Sequence, residues 1–121
     1  MAKLTTSLTI WHNPRCSKSR ETLALIENAG HDVTVVNYLE TPPTPTQLKK
    51  LLDQLGLTPE AITRTKEPRY AELGLKEKPP KTVQEWVTVL SENPVLIERP
   101  IVTNGKKAVL GRPPENVRAL L

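Results

Sequence analysis

Hydrophobic and polar positions alternate near the start of the chain and then follow a helical period. Residues 7–11 alternate polar and apolar side chains and include β-branched members, which predicts a first strand. From Ser17 the apolar positions recur at helical spacing, and Gly30 is placed to end this helix in a left-handed conformation. Residues 33–38 are rich in valine and threonine and predict a second strand. The apolar face of the predicted helix consists of Leu23, Ala24 and Ile26.

The middle of the chain has a helical pattern. Three prolines over residues 41–45 exclude regular structure there, because each proline removes a backbone donor. Leucines over residues 48–55 then recur at i, i+3, i+4 and i+7, and Pro68 interrupts the pattern further on. Residues 82–85 match a capping box, which opens a helix with Val83 on its apolar face. The predicted elements are a helix from about Thr46 to Gly56, a short helix over 59–64, a helical turn over 70–74 and a helix from Thr82 to before Pro94.

The last third of the chain predicts a hairpin and a terminal helix. Asn104-Gly105 is a strong hairpin signal between apolar segments, and residues 108–110 form the returning strand. A β-α-β unit requires parallel strands, whereas a hairpin requires antiparallel ones, and one mixed four-stranded sheet satisfies both. We therefore predict an α/β, thioredoxin-like (glutaredoxin-like) domain over residues 1–121, with helices flanking the sheet. A helical insertion separates the β-α-β unit from the hairpin.

Composition excludes several classes of protein. One cysteine in 121 residues cannot form an internal disulfide, and His12 and His31 are too far apart in sequence for a zinc-ligand cluster. We therefore expect no metal. Residues 1–10 lack the features of a signal peptide, and no segment approaches membrane-spanning length. A thiol that must stay reduced then predicts a cytoplasmic protein without membrane association.

The net charge of +4 does not predict a nucleic-acid partner. Lysines are interspersed with glutamates, and no aromatic stacking platform accompanies the basic residues. A moderately basic surface is equally suited to attracting small anions. Anionic small molecules are therefore the class of ligand that the charge favours.

Cys16 lies where the first predicted strand gives way to the first predicted helix. Unpaired N–H groups and the helix dipole at that position lower the cost of a thiolate, and nearby cations would add to the effect. His12, if protonated, would also favour the thiolate, and Asn13 and Ser19 can donate hydrogen bonds to sulfur or to a bound oxyanion. A buried structural cysteine is the alternative, but so polar a turn favours a reactive one. The motif Cys-Ser-Lys-Ser has no resolving cysteine, so any redox cycle needs an outside thiol.

Three arginines fall outside the amphipathic helices. Arg99 and Arg112 each follow a strand-like segment and precede a proline, and Arg64 closes a short predicted helix. A salt-bridged structural role is open for each arginine taken alone. Because arginine presents a rigid fork to tetrahedral oxyanions, the three together with a nucleophilic turn favour an anion clamp.

The same residues carry a resemblance to a known family. The run from His12 to Leu23 resembles the signature of the glutaredoxin-dependent arsenate reductases, and the similarity continues in order over nearly the whole chain. The Cys-Ser-Lys-Ser turn is similar to that of a chromosomal subgroup of the family. The further matching segments are residues 38–43, 64–67, 72–75, 98–102 and 111–115.

The resemblance implies a thioredoxin-like enzyme that reduces arsenate to arsenite. Cys16 would attack arsenate, glutathione would act as co-substrate without any bound cofactor, and glutaredoxin would complete the two-electron reduction. Carried over by position, the catalytic set is Cys16, Arg64, Arg99 and Arg112, with His12, Ser19 and Asn13 supporting the thiolate and Pro100 as a cis proline.

Two alternatives stay open beside this expectation. Another branch of the superfamily acts as a redox-sensing regulator that binds RNA polymerase. Those members usually carry Cys-x-x-Cys, whereas Ser19 occupies the second position here. The other alternative keeps the thiol chemistry but applies it to a different substrate, such as a glutathione mixed disulfide.

Overall fold

The computed structural model describes residues 7–121, which form two compact units. Residues 1–6, part of the segment interpreted above as lacking a signal peptide, lie outside the described residues. The first unit joins the chain up to Tyr38 with Arg99–Leu121, and the second unit is Leu39–Glu98. The second unit therefore coincides with the predicted helical insertion, whereas the single domain over 1–121 stays a prediction.

The first unit is built on a mixed four-stranded sheet. Its strand order is β2 (Val33–Asn37), β1 (Leu8–His12), β3 (Ile101–Thr103) and β4 (Ala108–Leu110), with β1 parallel to β2 and both other pairs antiparallel. Ile10 in the central strand pairs with Val35 on one side and Val102 on the other. This arrangement confirms the predicted thioredoxin-like sheet. The elements are β1 (Leu8–His12), α1 (Ser17–Asn28), β2 (Val33–Asn37), β3 (Ile101–Thr103), β4 (Ala108–Leu110) and a terminal 3₁₀ helix (Pro114–Leu120).

One face of this sheet carries the core of the first unit. Leu8 and Ile10 alternate with half-buried neighbours along β1, as a strand with one buried face requires. Helix α1 packs against the terminal 3₁₀ helix over this face. Ala24, predicted on the apolar face of α1, is exposed, whereas the polar residues Ser19 and Thr22 are fully buried. The core cluster consists of Leu8, Ile10, Ile26, Val102, Val117 and Leu120.

The second unit is entirely helical apart from one isolated bridge, between Thr63 and Ile97. Helix α2 (Pro45–Leu55) packs against α4 (Val83–Glu92), and most of the leucine stripe of α2 is buried, as are Trp86 and Val87 of α4. Val83, predicted on the same apolar face of α4, is largely exposed. The elements are α2 (Pro45–Leu55), a 3₁₀ helix (Pro59–Ile62), α3 (Pro68–Glu72), α4 (Val83–Glu92) and a 3₁₀ helix (Pro94–Leu96).

Two helix starts differ from the prediction because proline occupies the first helical turn. Pro45, assigned above to an irregular loop, is the first residue of α2, after Thr44 and Gln47 form a complete capping box. Pro68, predicted to interrupt a helix, instead begins α3. Proline suits that position because its missing N–H has no partner within the helix.

The predicted hairpin is present. Strands β3 and β4 are joined through residues 104–107, where the Asn104 side chain accepts the backbone N–H groups of Lys106 and Lys107 at 2.9 and 2.8 Å. Gly105 takes a φ of 93°, a left-handed conformation that the absence of a side chain permits. Within residues 7–121, no helix is both long enough and apolar enough to cross a membrane.

Candidate active site

Cys16 ends the turn between β1 and α1 and caps the helix. Its backbone is extended (φ −95°, ψ 121°), its N–H donates to the Asn13 carbonyl at 3.0 Å, and its carbonyl accepts the Arg20 N–H at 3.0 Å. The residue is 9 % exposed. The first turn of α1 contains no acidic residue, so its unpaired N–H groups face the sulfur without a competing carboxylate.

Side chains of the same turn hold this loop in shape. The Asn13 amide oxygen accepts the Arg15 N–H at 3.0 Å, and Arg20 donates from Nη1 to the Pro14 carbonyl at 2.8 Å. These contacts give Asn13 and Arg20 roles in building the turn. The direct support of the thiolate by Asn13 stays a prediction.

Opposing influences act on the Cys16 thiol, and their balance favours the thiolate. Burial by itself raises the pKa of Cys16, but the N–H groups of Ser19 and Lys18 and the guanidinium of Arg99 lower that pKa below its ordinary value. Ser19 therefore acts on the sulfur through its backbone N–H. A thiol with a lowered pKa supplies more nucleophile near neutral pH than a free cysteine does.

His12 and Ser19 form a buried hydrogen-bonded pair beside this turn. His12 Nδ1 lies 2.6 Å from Ser19 Oγ, and the same oxygen accepts the Asn13 N–H at 3.1 Å. Burial, together with the positive charge of Arg20, lowers the pKa of His12 from its ordinary value of 6.5. The ring is therefore mainly neutral at pH 7, and a protonated His12 is not the source of the lowered thiol pKa. In the tautomer with the proton on Nε2, Nδ1 accepts the Ser19 hydroxyl proton; in the other tautomer, Nδ1 donates to the Ser19 oxygen.

Among the three predicted arginines, Arg99 is the one whose guanidinium lowers the pKa of Cys16. Its guanidinium is partly buried, and Nε and Nη1 are shielded from solvent without a hydrogen-bond partner in the described protein. Buried donors of this kind are costly unless they are paired, so they offer binding positions for an oxyanion. The Arg99–Pro100 peptide bond is cis, as is Arg112–Pro113.

Arg112 is also placed in the first unit, next to the backbone of Arg99. Its Nη1 donates to the Arg99 carbonyl at 3.2 Å, while the side chain as a whole is exposed. The fold thus brings Cys16, Arg99 and Arg112 to the same unit from three separate stretches of sequence. Both arginines were predicted to follow strand-like segments. Arg112 does follow β4, but the segment before Arg99 is the 3₁₀ helix Pro94–Leu96, and Arg99 lies between that helix and β3.

Arg64 belongs to the second unit, where carboxylates surround it. Its Nη1 lies 2.7 Å from Glu67 Oε2 and its Nε lies 3.6 Å from Glu98 Oε1. Both carboxylates belong to the same unit as Arg64, whose backbone N–H donates to the Leu96 carbonyl at 2.7 Å. Its predicted contribution to an anion clamp stays a prediction.

Thr22 and Gly111 form a contact that the sequence analysis did not identify. Thr22 is fully buried in α1, and its Oγ1 lies 3.4 Å from the Gly111 carbonyl. A glycine that directly follows a strand is the sequence signal for such a close approach. A buried threonine leaves no comparable signal, because threonine on a helix is usually exposed.

Comparison with known proteins identifies the family of this chain. The family model for the ArsC family matches residues 11–120, which include every residue of the site. The chain belongs to the ArsC family. An arsenate reductase of Neisseria meningitidis is 44% identical over 113 residues, covering 93% of this chain and 96% of that protein. The arsenate reductase of Escherichia coli K12 is 41% identical, with 95% of this chain and 81% of that protein covered.

A solved structure supports the fold of this ArsC-family chain. An arsenate reductase from Vibrio cholerae superimposes with a TM-score of 0.90 at 47% sequence identity, covering 97% of this chain and 99% of that one. Within this ArsC-family fold, the Cys16 thiol interacts with the Arg99 guanidinium, whose Nε and Nη1 have no hydrogen-bond partner among the described residues. That pair can attack and hold a tetrahedral oxyanion.

Proposed function

We propose that this ArsC-family protein reduces arsenate to arsenite, with the Cys16 thiolate as nucleophile. The observation that carries the proposal is the pairing of Cys16 with Arg99, whose Nε and Nη1 are buried and unpartnered. A tetrahedral oxyanion supplies the acceptors that those donors lack, and it brings an electrophilic centre to the sulfur. The relatives that carry the name arsenate reductase support arsenate as that oxyanion.

The first step forms a sulfur–arsenic bond and expels one oxygen of arsenate as water or hydroxide, leaving arsenic in its oxidised state. Reduction then requires two electrons, which one cysteine cannot supply alone. Glutathione displaces a second oxygen of the adduct as water and binds arsenic through its sulfur. A glutaredoxin thiol then takes that sulfur to form a mixed disulfide, so that arsenic gains two electrons, and hydrolysis of the remaining sulfur–arsenic bond releases arsenite and the Cys16 thiol. In the net reaction, one arsenate and two thiols give one arsenite, one disulfide and one water.

The remaining residues have roles that follow from their contacts. Arg99 holds the oxyanion and the developing negative charge, with Arg112 as a further ligand. Ser19 and Lys18 stabilise the thiolate through their N–H groups, and the Ser19 hydroxyl fixes the neutral His12 ring. Because the cycle consumes reduced glutathione, we place the protein in the cytoplasm.

A coupled assay tests the electron source. Purified protein, arsenate, glutathione, glutaredoxin, glutathione reductase and NADPH are mixed, and arsenate-dependent NADPH consumption is followed. We expect turnover that stops when either glutathione or glutaredoxin is omitted and that Cys16→Ser abolishes. Turnover that persists without glutaredoxin would refute the proposed donor, and equal turnover in Cys16→Ser would refute the nucleophile.

A further inference from the structure

Among the described glycines, Gly111 is the one at which the surrounding atoms leave no room for a side chain. Its backbone conformation does not itself require glycine. The other four described glycines have positive φ and at most one distant neighbour for an added Cβ. At Gly111 an added Cβ would lie 2.5 Å from Thr22 Oγ1, 2.7 Å from Pro100 Cγ and 3.0 Å from Thr22 Cγ2. These distances are far below ordinary van der Waals contact, so any side chain at this position forces neighbouring segments apart.

Both groups that approach Gly111 are connected to the site. Thr22 Oγ1 donates to the Lys18 carbonyl at 2.8 Å, within the helical turn whose N–H groups face Cys16. On the other side, the Gly111 N–H donates to the Pro100 carbonyl at 2.9 Å, one residue after Arg99. Gly111 itself directly precedes Arg112. The contact therefore joins the thiolate-stabilising turn to the segments that carry both arginines.

We propose that Thr22 and Gly111 are positioning residues, whose close packing sets the distance between the Cys16 turn and the guanidinium groups of Arg99 and Arg112. Neither residue touches the reacting atoms in this role. The bare backbone of Gly111 lets α1 approach β3 and β4, and Thr22 occupies the space that a side chain would take. A small outward shift of α1 would weaken the interaction between Arg99 and the sulfur and would open the anion position.

The test substitutes Gly111→Ala in the full chain and measures Cys16 alkylation by iodoacetamide across pH. Because Cys16 is the one cysteine of the sequence, alkylation reports on this thiol alone. We expect the midpoint of the pH profile to move upward and the rate at neutral pH to fall several-fold. For arsenate, which rests on the proposed function, kcat/KM should fall by up to about 10²-fold, the size of a displacement near 1 Å.

Two further variants separate positioning from a general loss of stability. Gly105→Ala is the matched control, since it also strains a glycine of the first unit but has open space around the added Cβ. We expect Gly105→Ala to lower the melting temperature while keeping the wild-type alkylation profile. The double variant Thr22→Ala/Gly111→Ala removes two of the three crowding atoms, and we expect it to regain part of the alkylation rate that Gly111→Ala loses.

The proposal is overturned if Gly111→Ala leaves the pH profile of Cys16 alkylation unchanged. It is also overturned if the changes in alkylation caused by Thr22→Ala and by Gly111→Ala simply add in the double variant. If Gly111→Ala does not fold, Thr22→Ala alone decides the question, because it removes the contact without adding a clash. We expect Thr22→Ala to raise the midpoint of its alkylation profile, and a wild-type midpoint refutes the proposal. Since alkylation needs no arsenate, a failure of arsenate as substrate leaves this result interpretable.

Discussion

At the residue scale, the chemistry of Cys16 is decided by a competition between burial and local positive potential. Burial removes water from the sulfur and disfavours the thiolate, whereas two backbone N–H groups and the Arg99 guanidinium favour it. Hydrogen bonds to a charged group are worth about 1.5–3 kcal/mol each, so a few of them outweigh moderate desolvation. The same three donors would stabilise negative charge on an attached oxyanion.

The Arg99 contribution can be measured directly. Replacing Arg99 with Ala removes its charge from the sulfur, so we expect the alkylation rate of Cys16 at neutral pH to fall roughly tenfold, the equivalent of about 1.4 kcal/mol. Iodoacetamide alkylation followed by mass spectrometry provides the rate. Arg118→Ala, at an exposed arginine of the terminal 3₁₀ helix in the same unit, is the control and should keep the wild-type rate. Equal rates in all three proteins would contradict the assignment.

The lowered pKa of His12 predicts that the free energy of unfolding depends on pH. Its pKa is lowered in the folded protein, so the unfolded chain takes up a proton near pH 6.5 before the folded one does. The stabilisation is therefore fully present above pH 6.5 and is lost as pH falls through the lower folded pKa. We expect urea unfolding to show a steeper loss of stability below pH 6.5 in the wild type than in His12→Gln, by at most about 1.4 kcal/mol per pH unit. Parallel curves would show that His12 does not titrate as described.

At the element scale, sequence patterns located most strands and helices to within one or two residues, and proline accounts for the differences at two helix starts. Residues 7–11 and 108–110 have period-two or continuous apolar patterns, and the structure places β1 and β4 there to within one residue. The predicted start of α2 is one residue too late, because the three prolines over residues 41–45 indicate a loop when the sequence is considered alone. Pro45 is compatible with the helix once Thr44 and Gln47 satisfy the first N–H groups.

The capping box of α2 predicts a local stability effect. Thr44→Ala removes the hydroxyl that accepts the Gln47 N–H at 3.1 Å, and we expect a loss of about 1 kcal/mol in the free energy of unfolding. Thr46→Ala changes an exposed threonine two residues later, inside the helix, and should be neutral or slightly stabilising because alanine is the better helix former. Chemical denaturation of both variants checks the difference. A loss of equal size in Thr46→Ala would contradict the cap.

At the scale of the whole molecule, the sequence predicted the fold class, but it did not predict the contacts that hold the Cys16 turn against the rest of the first unit. The mixed sheet followed from one β-α-β unit and one hairpin, each with a local signal. The burial of Ser19 and Thr22 did not follow, because polar residues on a helix indicate exposure unless their partners are known. Those partners come from the turn before α1 and from the Gly111 segment, which is 89 residues from Thr22 in sequence.

The measurement that tests the central claim most directly is arsenite formed from arsenate in the presence of glutathione and glutaredoxin. Separation of the two arsenic species by chromatography, with arsenic-specific detection, counts product without relying on coupled enzymes. We predict stoichiometric conversion by catalytic amounts of the wild-type protein. Cys16→Ser should form none above the protein-free rate, and Arg99→Ala should form markedly less. Arsenite at the protein-free rate with the wild type would contradict the claim that Cys16 and Arg99 together reduce arsenate.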